Sequence, residues 1–233
     1  MELSPTEVLD VKILFKREDK KIQLRESLLK NTFFSRFQKS KVYKLADECF
    51  TNEFIWDETE EEKQLVQKLI EDVKNDAFKD PKEGAHAVAL IACYQPLYKT
   101  EAADNALKYE EKIDNRDYSE LVKYAVKEPR EEEEIKKDLK TFGSFKDKVT
   151  KKVKQQYEEN PYPRWRNVEY RSDTINKQED VKIEILIAGC GTGLQVINVS
   201  KEYPNSNITA FDLSTSSLAY GMRNAREQGV SNV

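Results

Sequence analysis

The 233-residue chain carries 39 Lys and Arg against 43 Asp and Glu, a net charge of -4, with 7 glycines, one histidine and three cysteines. A mean hydropathy of -0.78 and the lack of any apolar run near the roughly 18 residues of a membrane span argue against a spanning helix. One histidine, His86, and the scattered Cys49, Cys93 and Cys190 offer neither zinc-ligand spacing, nor a paired disulfide framework, nor a histidine-based triad.

The opening MELSPTEVLD lacks the basic and then apolar plan of a secretory leader, so a cytoplasmic location is expected and the sequons at Asn198 and Asn207 carry little meaning. Charge divides the chain: after residue 180 only four basic and four acidic residues remain, while five of the seven glycines fall there. Two units are therefore expected to meet near 180: a helical N-terminal domain over 1–145, a connecting helix, turn and linker over 146–180, and an α/β part over 181–233. Within the connection, Asn167 to Asp180 is polar and reads as linker.

In chain order, an amphipathic helix is expected around Ser27 to Lys44. Next, TEEEKQLVQKLIEDVKND repeats Leu65, Val66, Leu69, Ile70 and Val73 on one helical face, and Thr59 with Glu62 forms a capping-box signature. The apolar run GAHAVALIACYQPLY has the length of a buried helix that Pro96 closes, with His86 as a core residue. Further helices are expected over Ser119 to Val126 and Glu131 to Lys140, with Pro129 as a break between them. The acidic run Glu131 to Glu134 reads as a solvated face paired to Lys136 and Lys137. No repeat of fixed period is evident.

From Lys182 the pattern changes. KIEILIA is a short buried-strand pattern running into Gly189-Cys190-Gly191-Thr192-Gly193; LQVINVSKEY gives a helix stopped by Pro204, NITAFD a second strand ending on Asp212, and STSSLAYGMRNAREQ a second helix ended by Gly229. At a nucleoside-cofactor site, glycines let the backbone approach the ligand, and an acid about 20 residues further on accepts bonds from ribose hydroxyls. The nicotinamide and flavin fingerprint G-x-G-x-x-G requires glycine at 194, where this chain has Leu194.

The compact G-x-G-x-G turn after a strand bearing Glu184 resembles motif I of the class I S-adenosylmethionine-dependent methyltransferases. A second resemblance, to bacterial methyltransferases often attached to tetratricopeptide repeats, rests on VKQQYEENPYPRW followed by ILIAGCGTG, and on ECFTNEFIWDETEEEK, Ala92 to Tyr98 and VKEPREEEE upstream. The resemblance implies an α/β chain: an all-helical N-terminal domain, then the first part of a Rossmann-like methyltransferase domain with an incomplete parallel sheet. It implies S-adenosylmethionine as cofactor, with Gly189, Cys190, Gly191, Thr192 and Gly193 under its methionine part and Asp212, followed by Leu213, at its ribose. It also implies in-line transfer of the sulfonium methyl to a protein or small-molecule acceptor, for which no catalytic residue is assignable.

Around NPYPRW, Tyr157 just before it or Arg164 within it is expected to contact the methionine end of the cofactor, Arg164 by pairing with the cofactor's carboxylate; the alternative is a turn that only packs. Lys146, Lys148, Lys151, Lys152 and Lys154 form a basic patch, read as a solvated helix face in preference to a nucleic-acid surface. Only two strands follow residue 180, so the cofactor domain is expected to be a fragment, with SNV as the start of a third strand, and inactive alone. A helical interaction module carrying a vestigial cofactor fold, and a nicotinamide oxidoreductase, are the alternatives. No membrane partner is expected, and the oligomeric state stays open.

Overall fold

Residues 19–30, 36–143, 147–159, 161–165 and 177–233 are described by a computed structural model, mostly helical with one two-stranded parallel sheet. Two compact units result, Met1–Lys127 and Glu128–Val233.

The first unit contains α1 (19–30), α2 (Arg36–Thr51), α3 (Glu60–Lys74), α4 (Pro81–Ile91), a 3-10 turn (Leu97–Lys99), α5 (Ala103–Lys112), α6 (Arg116–Val122) and a π-helical turn (Lys123–Lys127). The helix expected over Ser27 to Lys44 thus falls on α1 and α2, with 31–35 outside the described residues. In α3 the capping box is present: Thr59 Oγ1 accepts from Glu62 N–H at 3.2 Å, and the Glu62 carboxylate accepts from Thr59 N–H at 2.8 Å. Val66, Ile70 and Val73 turn inward. Asp80 caps α4 by accepting from Lys82 N–H, Pro81 supplies the first helical residue, and every residue from Gly84 to Ile91 is buried, His86 included. The helix stops at Ile91, five residues before Pro96, which instead precedes the 3-10 turn as its cap.

A buried cluster ties α1 to α3 and to the residues after α4. Arg25, 1% exposed, lies 4.2 Å from the Tyr94 ring centre, donates to the Asp57 carbonyl at 2.6 Å, and approaches Glu62 at 3.6 Å. Tyr94 Oη also donates to Glu62, at 2.8 Å.

The second unit contains α7 (Glu128–Asp138), α8 (Lys148–Glu159), β1 (Glu184–Ala188), α9 (Leu194–Glu202), β2 (Asn207–Phe211) and α10 (Thr215–Glu227). Two expectations change here. Pro129 does not break the helix: it lies in the first turn of α7, where a missing N–H costs little, directly after the π turn. The acidic run is not wholly solvated either. Glu133 and Glu134 pair with Lys136 and Lys137 at 2.6 Å, but Glu132 is buried, its carboxylate accepting from Arg223 Nε at 2.8 Å. This contact holds α7 on α10, so the boundary between units falls at Lys127, earlier than the break in composition.

β1 and β2 are parallel, in register from Glu184 opposite Asn207 to Ala188 opposite Phe211, with α9 between them in sequence. Ile185, Ile187, Ile208 and Ala210 share the covered face with Val196 and Val199 of α9, while Leu186 and Phe211 lie exposed on the other. α10 ends at Gln228 and Gly229, which takes φ +68° so that Val230 N–H can return to the Ala225 carbonyl. Beyond it, the Asn232 carbonyl accepts from Ile208 N–H at 2.8 Å, on the β2 edge away from β1.

No described helix is long and apolar enough to cross a membrane. α8 buries none of its residues, in keeping with a solvated face for Lys148, Lys151, Lys152 and Lys154; Lys146 and 167–176 of the expected linker lie outside the described residues.

Candidate functional site

The carboxyl ends of both strands meet at the glycine turn. Gly189 and Cys190 N–H groups donate to the Phe211 carbonyl at 2.9 and 3.2 Å, which fastens the start of the turn to the end of β2. Gly189, Gly191 and Gly193 have φ of +66°, +51° and +82°, conformations an L side chain resists. Gly193 N–H closes the turn on the Cys190 carbonyl, and Gly193 forms the N-cap of α9.

The three glycines do different work. A Cβ built on Gly189 or Gly191 meets nothing within 4 Å, so these two line open space. On Gly193 it would lie 3.0 Å from Gly221 Cα, and a Cβ on Gly221 would lie 3.0 Å from the Thr192 carbonyl oxygen. α10 therefore crosses the turn backbone to backbone, which accounts for a glycine inside a helix. Gly221 is a site-shaping residue that sequence reasoning missed, its only signal being that helix-interior position.

Asp212 stands at the end of β2 and faces the turn: Oδ2 accepts from Gly191 N–H at 2.8 Å and Oδ1 from Ser214 N–H at 3.0 Å. Leu213, half-buried, separates it from Ser214, the N-cap of α10. Glu184 sits at the opposite end of the sheet, accepting from the Asn207 side-chain amide at 2.7 Å, and takes no part in the turn. Cys190 is half-buried; burial and the Asp212 carboxylate push its thiol up to about 11, so it is no thiolate nucleophile at neutral pH.

The NPYPRW segment is fastened to this site. Trp165 Nε1 forks to the carbonyl and Oγ1 of Thr192, both at 3.1 Å, and Thr192 Oγ1 donates to the Pro163 carbonyl at 2.8 Å. The Trp165 ring stands edge-on to Tyr220, 5.9 Å between centres, and Tyr220 Oη donates to the Trp165 carbonyl. Arg164 lies over the same Tyr220 ring at 5.8 Å. Tyr157 is exposed at its side chain and meets the site through its carbonyl, which accepts from Ser214 Oγ at 2.9 Å.

The structure thus gathers Gly189 to Gly193 and Asp212 in direct contact, reaches Tyr157 through Ser214, and sets Arg164 on Tyr220. Glu158, not singled out by the sequence, binds the start of α10: its carboxylate accepts from the N–H groups of Thr215 and Ser216 at 2.8 and 2.9 Å and from both hydroxyls. Burial opposes its ionisation, but these hydrogen bonds outweigh burial and hold the carboxyl below its ordinary value. Among the described residues no group of three His, Cys, Asp or Glu could hold a metal ion. Comparison of the chain with known protein families, curated proteins and solved structures finds no match in any of the three.

Proposed function

We propose that the second unit is the cofactor-binding part of a class I S-adenosylmethionine-dependent methyltransferase with a Rossmann-like arrangement. The observation that carries this reading is the pairing of two left-handed glycines, Gly189 and Gly191, whose missing Cβ atoms leave open space, with a strand-end carboxylate, Asp212, across the turn. The residues fit such a cofactor chemically. The glycine backbone admits close approach of the amino-acid portion, and Asp212 keeps unused acceptor capacity for a pair of ribose hydroxyls. Leu194 in place of a third-position glycine disfavours a nicotinamide dinucleotide.

When bound, the cofactor supplies a sulfonium methyl for transfer to a nucleophile. The chain's own part is to bind and orient: Asp212 at the ribose, the turn of Gly189 to Gly193 at the methionine portion, and Trp165 and Thr192 packed behind the turn to exclude water. The methyl acceptor is a protein or small molecule.

Calorimetric titration with S-adenosylmethionine, S-adenosylhomocysteine and NAD tests this. Both sulfur ligands are expected to bind and NAD not, and Asp212→Ala is expected to weaken binding about 10- to 100-fold, the worth of hydrogen bonds to a charged group. Absence of a heat signal with either sulfur ligand overturns the reading.

A further inference from the structure

Two polar fasteners join the chain around the end of α8 to the site from opposite sides. On the acid side, the Glu158 carboxylate takes both N–H groups of the first turn of α10, together with Thr215 Oγ1 at 2.9 and 3.0 Å and Ser216 Oγ at 2.8 Å; Ser214 Oγ donates to the neighbouring Tyr157 carbonyl. Those N–H groups are otherwise orphan donors, and a carboxylate there also meets the positive end of the helix. Ser214, held in this way, is bonded through its N–H to Asp212. On the glycine side, the forked bond from Trp165 Nε1 holds Thr192 by its carbonyl and its hydroxyl.

The site needs such support. Gly189 and Gly191 have no side chains, and nothing packs where their Cβ atoms would be, so at these two positions the left-handed turn is held by hydrogen bonds and not by side-chain packing. A segment that merely packed would be served by the Trp165 ring on Tyr220. The indole N–H aimed at Thr192, and a half-buried carboxylate with five donor contacts, are directional devices instead.

We propose that Glu158 and Trp165 are positioning residues for the cofactor site, Glu158 fixing the Asp212 loop through the start of α10 and Trp165 fixing the glycine turn through Thr192. This rests on the reading of the second unit as a cofactor-binding fold. Neither residue touches the ligand; each holds a loop that does.

The test is calorimetric titration of S-adenosylhomocysteine into the full chain, with amide hydrogen exchange of the unliganded protein, for the wild type, Glu158→Gln, Trp165→Phe and the exposed control Lys151→Gln. Glu158→Gln and Trp165→Phe are each expected to weaken binding about tenfold. Exchange is expected to speed up selectively at 212–217 in the first and at 189–193 in the second, with the control unchanged. If Glu158→Gln does not fold, the pair Thr215→Val and Ser216→Ala removes the hydroxyl donors from the other side. Wild-type binding with unchanged affinity in both variants overturns the positioning role even if melting temperatures fall, and leaves the cofactor reading standing. A wild type that does not bind overturns the cofactor reading and the positioning role with it.

Discussion

Removing the Arg223 cation is expected to unfold the second unit far more readily than its place on a charged helix suggests. Its guanidinium meets three carboxylates: Glu132 at 2.8 Å, Glu227 at 3.2 Å and Glu128 at 3.4 Å. The side chains of Arg223, Glu132 and Glu128 are 5, 9 and 17% exposed, so solvent screens little of this, whereas Lys137 and Glu134, 67 and 71% exposed, form an ordinary surface pair. Arg223→Met leaves Glu132 buried without its cation, a loss of about 3–5 kcal/mol, while Lys137→Met costs under about 1 kcal/mol. Trp56 and Trp165 are the two tryptophans, so in a Trp56→Phe background the fluorescence of Trp165 reports urea unfolding of the second unit. The pH dependence follows from Glu132. Burial pushes its carboxyl above the ordinary value, against the hydrogen bond and charge of Arg223, which pull it down. An acid raised in the folded state contributes stability below its unfolded value, near 4.3, and loses it as pH rises through the folded one. Without Arg223 the folded value rises further and the loss extends toward neutrality. The deficit of Arg223→Met should therefore be small at pH 5 and full at pH 8, and Arg223→Met with Glu132→Leu should recover most of it. A deficit under about 1 kcal/mol, or one equal at both pH values, refutes the reasoning.

Three further outcomes follow from other contacts. A Cβ at Gly84 would lie 2.5 to 2.9 Å from the ring of Tyr109, which is 1% exposed and bonded to Asp76, so Gly84→Ala should cost the first unit about 2 kcal/mol by urea unfolding, although helix propensity alone would favour it by about 1. Gly221→Ala, whose Cβ meets the Thr192 carbonyl, should cost the second unit about 1 kcal/mol and lower S-adenosylhomocysteine affinity several-fold; a gain in stability with unchanged affinity means that the turn yields freely. Glu158 is held below its ordinary value, so its contribution is present above the unfolded value and lost as pH falls through the folded one. Protection factors of the Thr215 and Ser216 amides should therefore fall as pH is lowered past the ordinary carboxylate range, and Glu158→Gln should abolish that dependence.

What the sequence made legible was local. Thr59 and Glu62 are three residues apart and cap α3 as their spacing implies; Ser214 and Gly229 start and stop α10 within one turn of it; the run ending at Ile91 is buried because almost every side chain in it is apolar. What stayed hidden depends on partners far along the chain. Glu132 is one of four consecutive glutamates, and only α10, arriving with Arg223, selects it for burial. Glu158 looks like any exposed helix-end acid until the start of α10 presents two N–H groups and two hydroxyls to it. Periodicity along one helix contains neither fact.

The glycine turn shows how far such a distant partner changes a functional reading. The sequence assigns Gly189, Gly191 and Gly193 alike to ligand approach. Because Gly193 abuts Gly221 while the other two face open space, alanine should separate ligand affinity from fold stability along this one turn. At each of the three positions alanine bears the strain of positive φ, about 1 kcal/mol or slightly more. At Gly189 or Gly191 the added methyl meets no protein atom, so the fold loses only that strain, while S-adenosylhomocysteine affinity should drop by tenfold or more as the methyl enters the ligand's space. At Gly193 the methyl also presses on Gly221 Cα and must displace α10, so the fold loss should exceed that at Gly191 by about 1–3 kcal/mol. Urea unfolding by Trp165 fluorescence, alongside calorimetry, measures both quantities in each variant. Equal stability losses at Gly191 and Gly193 would mean that the close approach of α10 does not constrain the turn, and unchanged affinity in Gly191→Ala would mean that the open space beside the turn is not where a ligand binds.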